Sequence, residues 1–153
     1  MPDWSYLLVT LVYNLSLAVW IGGGFALGAL AAPTLFSKLE RPQAGELFGG
    51  ILRKFSRVRL FAIAAVIVVA FAKYLKWESH AAEGHYAIWI GIRWIAIAVM
   101  AGSVLYEIFY LERAIMTSRE NGASRAEFDR LHRRAELLMK VSLAAAVVAL
   151  LLN

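Results

Sequence analysis

Residues 57–76 read RVRLFAIAAVIVVAFAKYLK, and this stretch decides the fold class. Residues 60–72 carry only apolar side chains, so a helix over them is apolar on every face. Such a helix lies in a large protein core or in a membrane. Cationic residues flank both ends of this apolar segment, as is typical of membrane spans. We predict a span over about 60–74.

The same pattern extends over the rest of the chain. Of 153 residues, 61% are hydrophobic and 18% are charged, which is less charge than a soluble domain of this size carries. Long apolar runs predict further spans over about 6–36, 86–111 and 137–152. We therefore predict one transmembrane domain covering residues 1–153. Its fold class is all-α, an integral membrane four-helix bundle with cytoplasmic helical extensions.

The distribution of basic residues predicts the orientation. Twelve of the sixteen Lys and Arg residues fall in two connections, six in residues 37–59 and six in residues 112–134. The connection over residues 73–85 has two lysines against two glutamates. Because basic connections stay in the cytoplasm, both termini and the 73–85 loop are expected outside. The N-terminus lacks the basic start of a cleavable signal, so the first apolar run is expected to remain as a span.

Several functional classes lack their usual residues. The chain contains no cysteine, which excludes disulfides, thiolate metal sites and cysteine nucleophiles. It has no phosphate-binding glycine loop, no HExxH and no nucleophile elbow. The net charge of +5 is explained by residues that flank spans, so nucleic acid is not an expected partner. We expect a protein that is not an enzyme and holds no resident cofactor.

Four short runs carry a family resemblance: WIGGG at 20–24, APTLF at 32–36, LRKF at 52–55 and FDRLH at 128–132. In these runs the chain resembles the transmembrane protein 205-like family of small bacterial four-span membrane proteins. Its first half is also similar, more weakly, to the copper-resistance D family. The resemblance implies a bacterial inner-membrane location and the handling of a solute or a metal. It assigns no catalytic residue.

Ionisable residues inside the spans are the main candidates for a site. A charge at the bilayer centre costs about 3 kcal/mol on insertion scales, so such residues face protein, face water or extend to the interface. We predict a polar track and, at its inner end, a Glu107–Lys140 salt bridge. The alternative is that these charges only tie helices together. The track consists of Asn14, Arg93, Glu107 and Lys140.

Three further sets of residues are candidates for contacts. Gly24 and Gly28 form a GxxxG pattern, which predicts either a homo-oligomer face or, as we favour, packing within the chain. Imidazole and carboxylate groups are ligands for zinc or copper, so a metal ion is a weak candidate at His80, Glu83 and His85. A basic collar is expected to contact anionic lipid headgroups. Its members are Arg53, Lys54, Arg57, Arg59, Arg133 and Arg134.

Three functional classes follow from these patterns. The first is a membrane protein that handles a small solute, ion or metal through polar residues between its helices. The second is a structural or accessory membrane subunit that binds lipid or protein partners without transport. The third, least favoured, is a membrane redox protein with a bound cofactor.

Overall fold

The structure is a computed structural model that describes residues 3–79, 84–120 and 125–153; the side chains of residues 118–129 and 132 lie outside the description. The described chain is helical and contains no strand, as the sequence predicts. The α-helices are α1 (Trp4–Phe25), α2 (Ala32–Lys38), α3 (Arg41–Lys73), α4 (His85–Tyr106), α5 (Glu112–Glu120) and α6 (Arg125–Leu151). Three π-helical segments continue these helices, at Ala26–Ala31, Tyr74–Glu78 and Glu107–Leu111.

Local sequence explains where the helices begin. Asp3 caps α1 by accepting a hydrogen bond from the backbone N–H of Ser5 at 3.1 Å. Pro42 lies in the first turn of α3, where its missing N–H is tolerated. Pro33 lies in the first turn of α2, directly after a π-helical segment. Because proline disrupts the preceding turn of a continuous helix, the wider π-helical turn lets the helix pass through Pro33 without ending.

Four helices form a closed ring. α1 packs against α3 and α6, and α4 packs against α3 and α6. Side chains from all four fill one apolar core between them. Its members include Leu17 and Trp20 of α1, Val66 of α3, Met100 of α4 and Ala146 of α6. α6 therefore shares one core with α1, α3 and α4.

Among the residues that the structure describes, three continuous helices are long and apolar enough to cross a membrane: Trp4–Lys38, Arg41–Glu78 and His85–Thr117. They contain the predicted spans 6–36, 60–74 and 86–111. The shortest has 33 residues, or about 50 Å at ~1.5 Å per residue, against a hydrocarbon core of ~30 Å. The helices therefore extend well beyond the bilayer core. The fourth predicted span, 137–152, lies largely in α6, which packs in the ring but is not among these three.

Candidate functional site

A bidentate ion pair joins α3 to α4 at one end of the bundle. Arg93 Nη1 donates to Glu78 Oε1 at 2.9 Å, and Arg93 Nη2 donates to Glu78 Oε2. Arg93 is 2% exposed and Glu78 is 6% exposed. A paired arrangement of two parallel hydrogen bonds is the strongest form of an arginine–carboxylate contact.

A buried lysine extends this contact into a network. Lys73 is 1% exposed, and its Nζ lies 3.9 Å from Glu78 Oε1. Lys73 Nζ also donates to Asn153 Oδ1 at 2.6 Å, and Asn153 Nδ2 donates to Asn14 Oδ1 at 2.9 Å. We call Asn14, Lys73, Glu78, Arg93 and Asn153 the Glu78 cluster. Its three charged side chains are two cations and one carboxylate, which gives a formal side-chain charge of +1.

Aromatic rings form the rest of the lysine's surroundings. Lys73 Nζ lies 5.2 Å from the ring centre of Tyr6 and 5.8 Å from that of Tyr13. These are favourable distances for an ammonium group over an aromatic ring. The hydroxyl of Tyr13 is directed elsewhere, since it donates to the Ala149 carbonyl at 3.0 Å. These contacts place Lys73 inside the bundle.

A second charged cluster joins the same two helices at the other end. Arg59 Nη2 donates to Glu107 Oε1, and the hydroxyl of Ser56 donates to the same oxygen at 2.6 Å. Arg59 also lies over the rings of Trp20 and Phe55, at 5.5 and 5.4 Å from the ring centres. We call Ser56, Arg59 and Glu107 the Glu107 cluster. Its one cation and one carboxylate balance.

Both carboxylates lie in π-helical segments. Glu78 is the last residue of the segment Tyr74–Glu78, and Glu107 is the first residue of the segment Glu107–Leu111. A π-helical turn contains an additional residue and so changes the direction of the side chains that follow. π-Helical turns of this kind occur frequently at functional sites. Here they lie where each carboxylate meets an arginine of the neighbouring helix.

The two clusters are separated by a mainly apolar layer. Arg93 and Glu107 are fourteen residues apart on one helix, or about 21 Å. Among the described residues, the buried side chains between them are mostly apolar, such as Val66, Ile97 and Met100. The buried Ser103 donates to the backbone carbonyl of residue 99 at 2.6 Å. Within the part of the chain that the structure describes, no continuous row of polar side chains joins the two clusters.

The four residues of the predicted track are distributed over three places. Asn14 and Arg93 both belong to the Glu78 cluster, whereas Glu107 belongs to the other cluster. Lys140 is exposed, and its Nζ binds Glu136 Oε1 at 2.6 Å, one turn earlier on α6. The predicted Glu107–Lys140 salt bridge is therefore wrong. The two residues were matched by depth in the bilayer, but Arg59 faces Glu107 across the α3–α4 contact.

The other predicted contacts have mixed outcomes. A Cβ added to Gly24 would lie 2.8 Å from Leu143 Cδ2 of α6, so Gly24 packs within the chain, whereas Gly28 faces open space. His80 and Glu83 lie outside the described residues, and His85 is exposed at the start of α4. Within residues 3–79, 84–120 and 125–153, no group of three potential ligands was found that could hold a metal ion.

The basic collar is exposed with one exception. Arg59 is 3% exposed and engaged with Glu107, so its assignment to the lipid headgroups is wrong. A surface position was predicted because its neighbours in sequence are basic. In the structure its side chain faces α4 instead. The remaining five residues are exposed, as headgroup contact requires: Arg53, Lys54, Arg57, Arg133 and Arg134.

Sequence reasoning missed Ser56, Glu78 and Asn153 as site residues. The sequence did contain a pattern that pairs Arg93 with Glu78. On the second helix Arg59 precedes Glu78, and on the third Arg93 precedes Glu107. In an antiparallel pair of helices this order places each arginine opposite a carboxylate of the other helix.

A family assignment agrees with this membrane architecture. A family model described as "Domain of unknown function (DUF4149)" matches residues 15–124. The chain belongs to the DUF4149 family. The matched range contains both arginine–carboxylate pairs, so both charged contacts lie within the DUF4149 domain. No curated protein and no solved structure matches the chain.

Proposed function

We propose that this DUF4149 protein handles a small solute or ion at polar residues between its helices, with the Glu78 cluster as the binding site. The observation that carries the proposal is a group of three charged side chains, each at most 6% exposed, inside helices apolar enough to span a membrane. Charged residues in such helices are rare and costly, and they mark substrate or ion pathways by default.

The two clusters are assigned different roles. The Glu107 cluster has balanced charges and additional hydroxyl and aromatic contacts, which suits a structural connection between α3 and α4. The Glu78 cluster has one cation in excess, and it lies at one end of the bundle, where a solute from water would arrive first. Of the predicted track, Asn14 and Arg93 retain a direct role, and Glu107 a structural one.

Movement across the membrane requires the apolar layer between the clusters to open. We propose that a homo-oligomer supports this movement, because a bundle of 153 residues leaves little room for a pathway of its own. The resemblance to the transmembrane protein 205-like family supports solute handling and, more specifically, metal tolerance. His80, Glu83 and His85 stay a proposed metal site on that basis.

The finer topology is also a proposal. The balance of basic residues supports four spans with α6 as the fourth, and helical extensions in the cytoplasm. It also supports the placement of both termini and the 73–85 loop outside the inner membrane of a bacterium. The Glu78 cluster then lies in the outer half of the bilayer. Exposed residues of the basic collar, such as Arg53 and Arg133, contact lipid headgroups in this arrangement.

A structural or accessory subunit is the second candidate. One observation favours it. In the most apolar 18-residue window of the first helix, 17% of the residues are buried inside the bundle, against 33% and 39% in the corresponding windows of the second and third helices. The first helix therefore offers the largest free apolar face for a protein partner in the membrane. Its exposed Gly28 lies on this surface and would allow close helix contact.

A ligand panel separates the two candidates. The purified protein is tested for binding and for liposome flux with protons, chloride, formate, potassium, zinc and copper. Wild type is compared with Arg93→Gln, and Lys140→Gln serves as the control because Lys140 is exposed and pairs with Glu136 on its own helix. Binding or flux of any of these ions that is lost in Arg93→Gln and kept in the control supports the proposal. A folded wild type that binds and moves none of these ions favours the accessory role.

A further inference from the structure

Within the Glu78 cluster, hydrogen-bond donors exceed acceptors. Lys73 has three N–H donors, of which one binds Asn153 Oδ1, and the nearest Glu78 oxygen is beyond hydrogen-bond distance at 3.9 Å. Both Glu78 oxygens already accept from Arg93. Arg93 Nε is buried and, like Arg59 Nε of the Glu107 cluster, has no hydrogen-bond partner among the described residues. The Glu78 cluster differs in holding a second buried cation, Lys73. A buried donor without an acceptor is unfavourable, so this site lacks an acceptor group.

The charge of the cluster leads to the same conclusion. Two buried cations share one carboxylate, and the only other polar partners in the described network are the neutral amides of Asn14 and Asn153. An uncompensated charge is costly in an apolar interior. A ligand with one negative charge would make the cluster neutral and accept from the free donors. A divalent anion would leave an excess of negative charge.

We infer that the Glu78 cluster binds a small monovalent anion, with Lys73 Nζ as its main donor and Arg93 as the second cation. This assignment rests on the proposed function, since it names the ligand class of the same site. Chloride and small carboxylates such as formate share the required chemistry, namely one negative charge and a compact acceptor. Lys73 Nζ lies 5.2 Å from the ring centre of Tyr6, and the ring centres of Tyr6 and Trp77 are 5.4 Å apart. The Tyr6–Trp77 contact therefore lies beside Lys73.

The test measures thermal unfolding of the full chain in detergent while sodium gluconate is replaced by sodium chloride, or by sodium formate, at constant ionic strength. Because an anion that binds only the folded state raises its stability, the wild-type midpoint should rise with chloride or formate. Broadening of the chloride NMR signal by the protein provides a direct measure of binding. Chloride broadening that gluconate does not displace identifies a selective site.

Three variants test the assignment to these residues. Lys73→Met should weaken anion affinity by at least about ten-fold, because it removes one charge-assisted donor. Glu78→Gln should strengthen the anion dependence of stability, because it leaves both cations without a carboxylate. The matched control is Lys76→Met. Lys76 is exposed and lies three residues from Lys73 on the same continuous helix, so this variant should keep the wild-type anion dependence.

The outcomes are distinguishable. No effect of chloride or formate on the wild type overturns the anion assignment, even if Lys73→Met does not fold. Equal anion dependence in wild type and Lys73→Met also overturns it. If the anion series is flat while another ion of the panel binds and depends on Arg93, the anion assignment fails and the proposed function survives. If no ion depends on Arg93, both fail.

Discussion

The Glu107–Arg59 contact offers a quantitative prediction about stability. Replacing Glu107 by Gln keeps the shape of the side chain but leaves Arg59 as a buried cation. Removing one partner of a buried ion pair costs about 3–5 kcal/mol. Arg59 keeps its contacts with Trp20 and Phe55, and such contacts are worth ~0.5–2 kcal/mol each. We therefore expect a loss near the lower limit, about 3 kcal/mol.

A double-mutant cycle isolates the contact itself. We expect Arg59→Met to cost about 2 kcal/mol, since Ser56 still donates to the carboxylate, and the double variant Arg59→Met/Glu107→Gln to cost only about 1 kcal/mol. The coupling energy is then about 4 kcal/mol, the sum of the single losses minus the double loss. The assay is reversible unfolding in mixed dodecyl maltoside and dodecyl sulfate micelles, followed by helical circular dichroism.

An exposed ion pair of the same chain provides the control. Lys140 and Glu136 are 70% and 55% exposed, so Lys140→Met should cost no more than about 0.5 kcal/mol. A loss below about 1 kcal/mol for Glu107→Gln, or additive single losses in the cycle, would show that the buried pair is not coupled as the structure indicates.

Three smaller perturbations give further expectations. Tyr13→Phe removes a buried hydroxyl that donates to a carbonyl of α6, and should cost about 1 kcal/mol in the same unfolding assay. Gly23→Ala places a Cβ 2.3 Å from the Phe55 ring and should cost about 1–3 kcal/mol. The hydrogen bond from the Ser5 hydroxyl lowers the pKa of Asp3 below its usual value. A carboxyl whose pKa is lowered by folding adds stability above its unfolded pKa, and the contribution is lost as the pH falls through the folded pKa. The thermal unfolding midpoint of the wild type should therefore exceed that of Asp3→Asn at neutral pH, and this difference should shrink as the pH becomes acidic.

These three expectations have internal controls. Gly28→Ala faces open space on the same helix and should be neutral or stabilising by up to about 1 kcal/mol, in contrast to the change at Gly23. Retention of full stability by Tyr13→Phe would mean that its hydroxyl is not the donor to α6. A pH-independent difference between wild type and Asp3→Asn would contradict the lowered pKa.

The helices could be predicted from sequence because composition and cationic ends are local signals. Residues 60–72 carry only apolar side chains, and the structure places them in α3. Composition and cationic ends could not predict where the side chain of Glu78 lies. It was assigned to a loop after residue 74, whereas a π-helical segment extends the helix to Glu78 and directs it toward Arg93.

The partner of each charged residue depends on how its helix is rotated about its own axis. The sequence specifies that rotation only weakly. Glu107 and Lys140 share a predicted depth, yet depth does not say which face of a helix a side chain occupies. The π-helical segment that begins at Glu107 alters that face further. Arg59 was assigned to the surface because basic neighbours precede it, but it is the residue of that group that faces α4.

Cysteine accessibility tests the central claim most directly, namely that the charges of the Glu78 cluster are buried within the membrane-spanning bundle. The chain has no cysteine, so single-cysteine variants give a clean signal. In intact membranes, a membrane-impermeant maleimide should label Lys76→Cys rapidly and leave Lys73→Cys unlabelled, although the two positions are less than one helical turn apart. Equal labelling of the two positions would contradict the account.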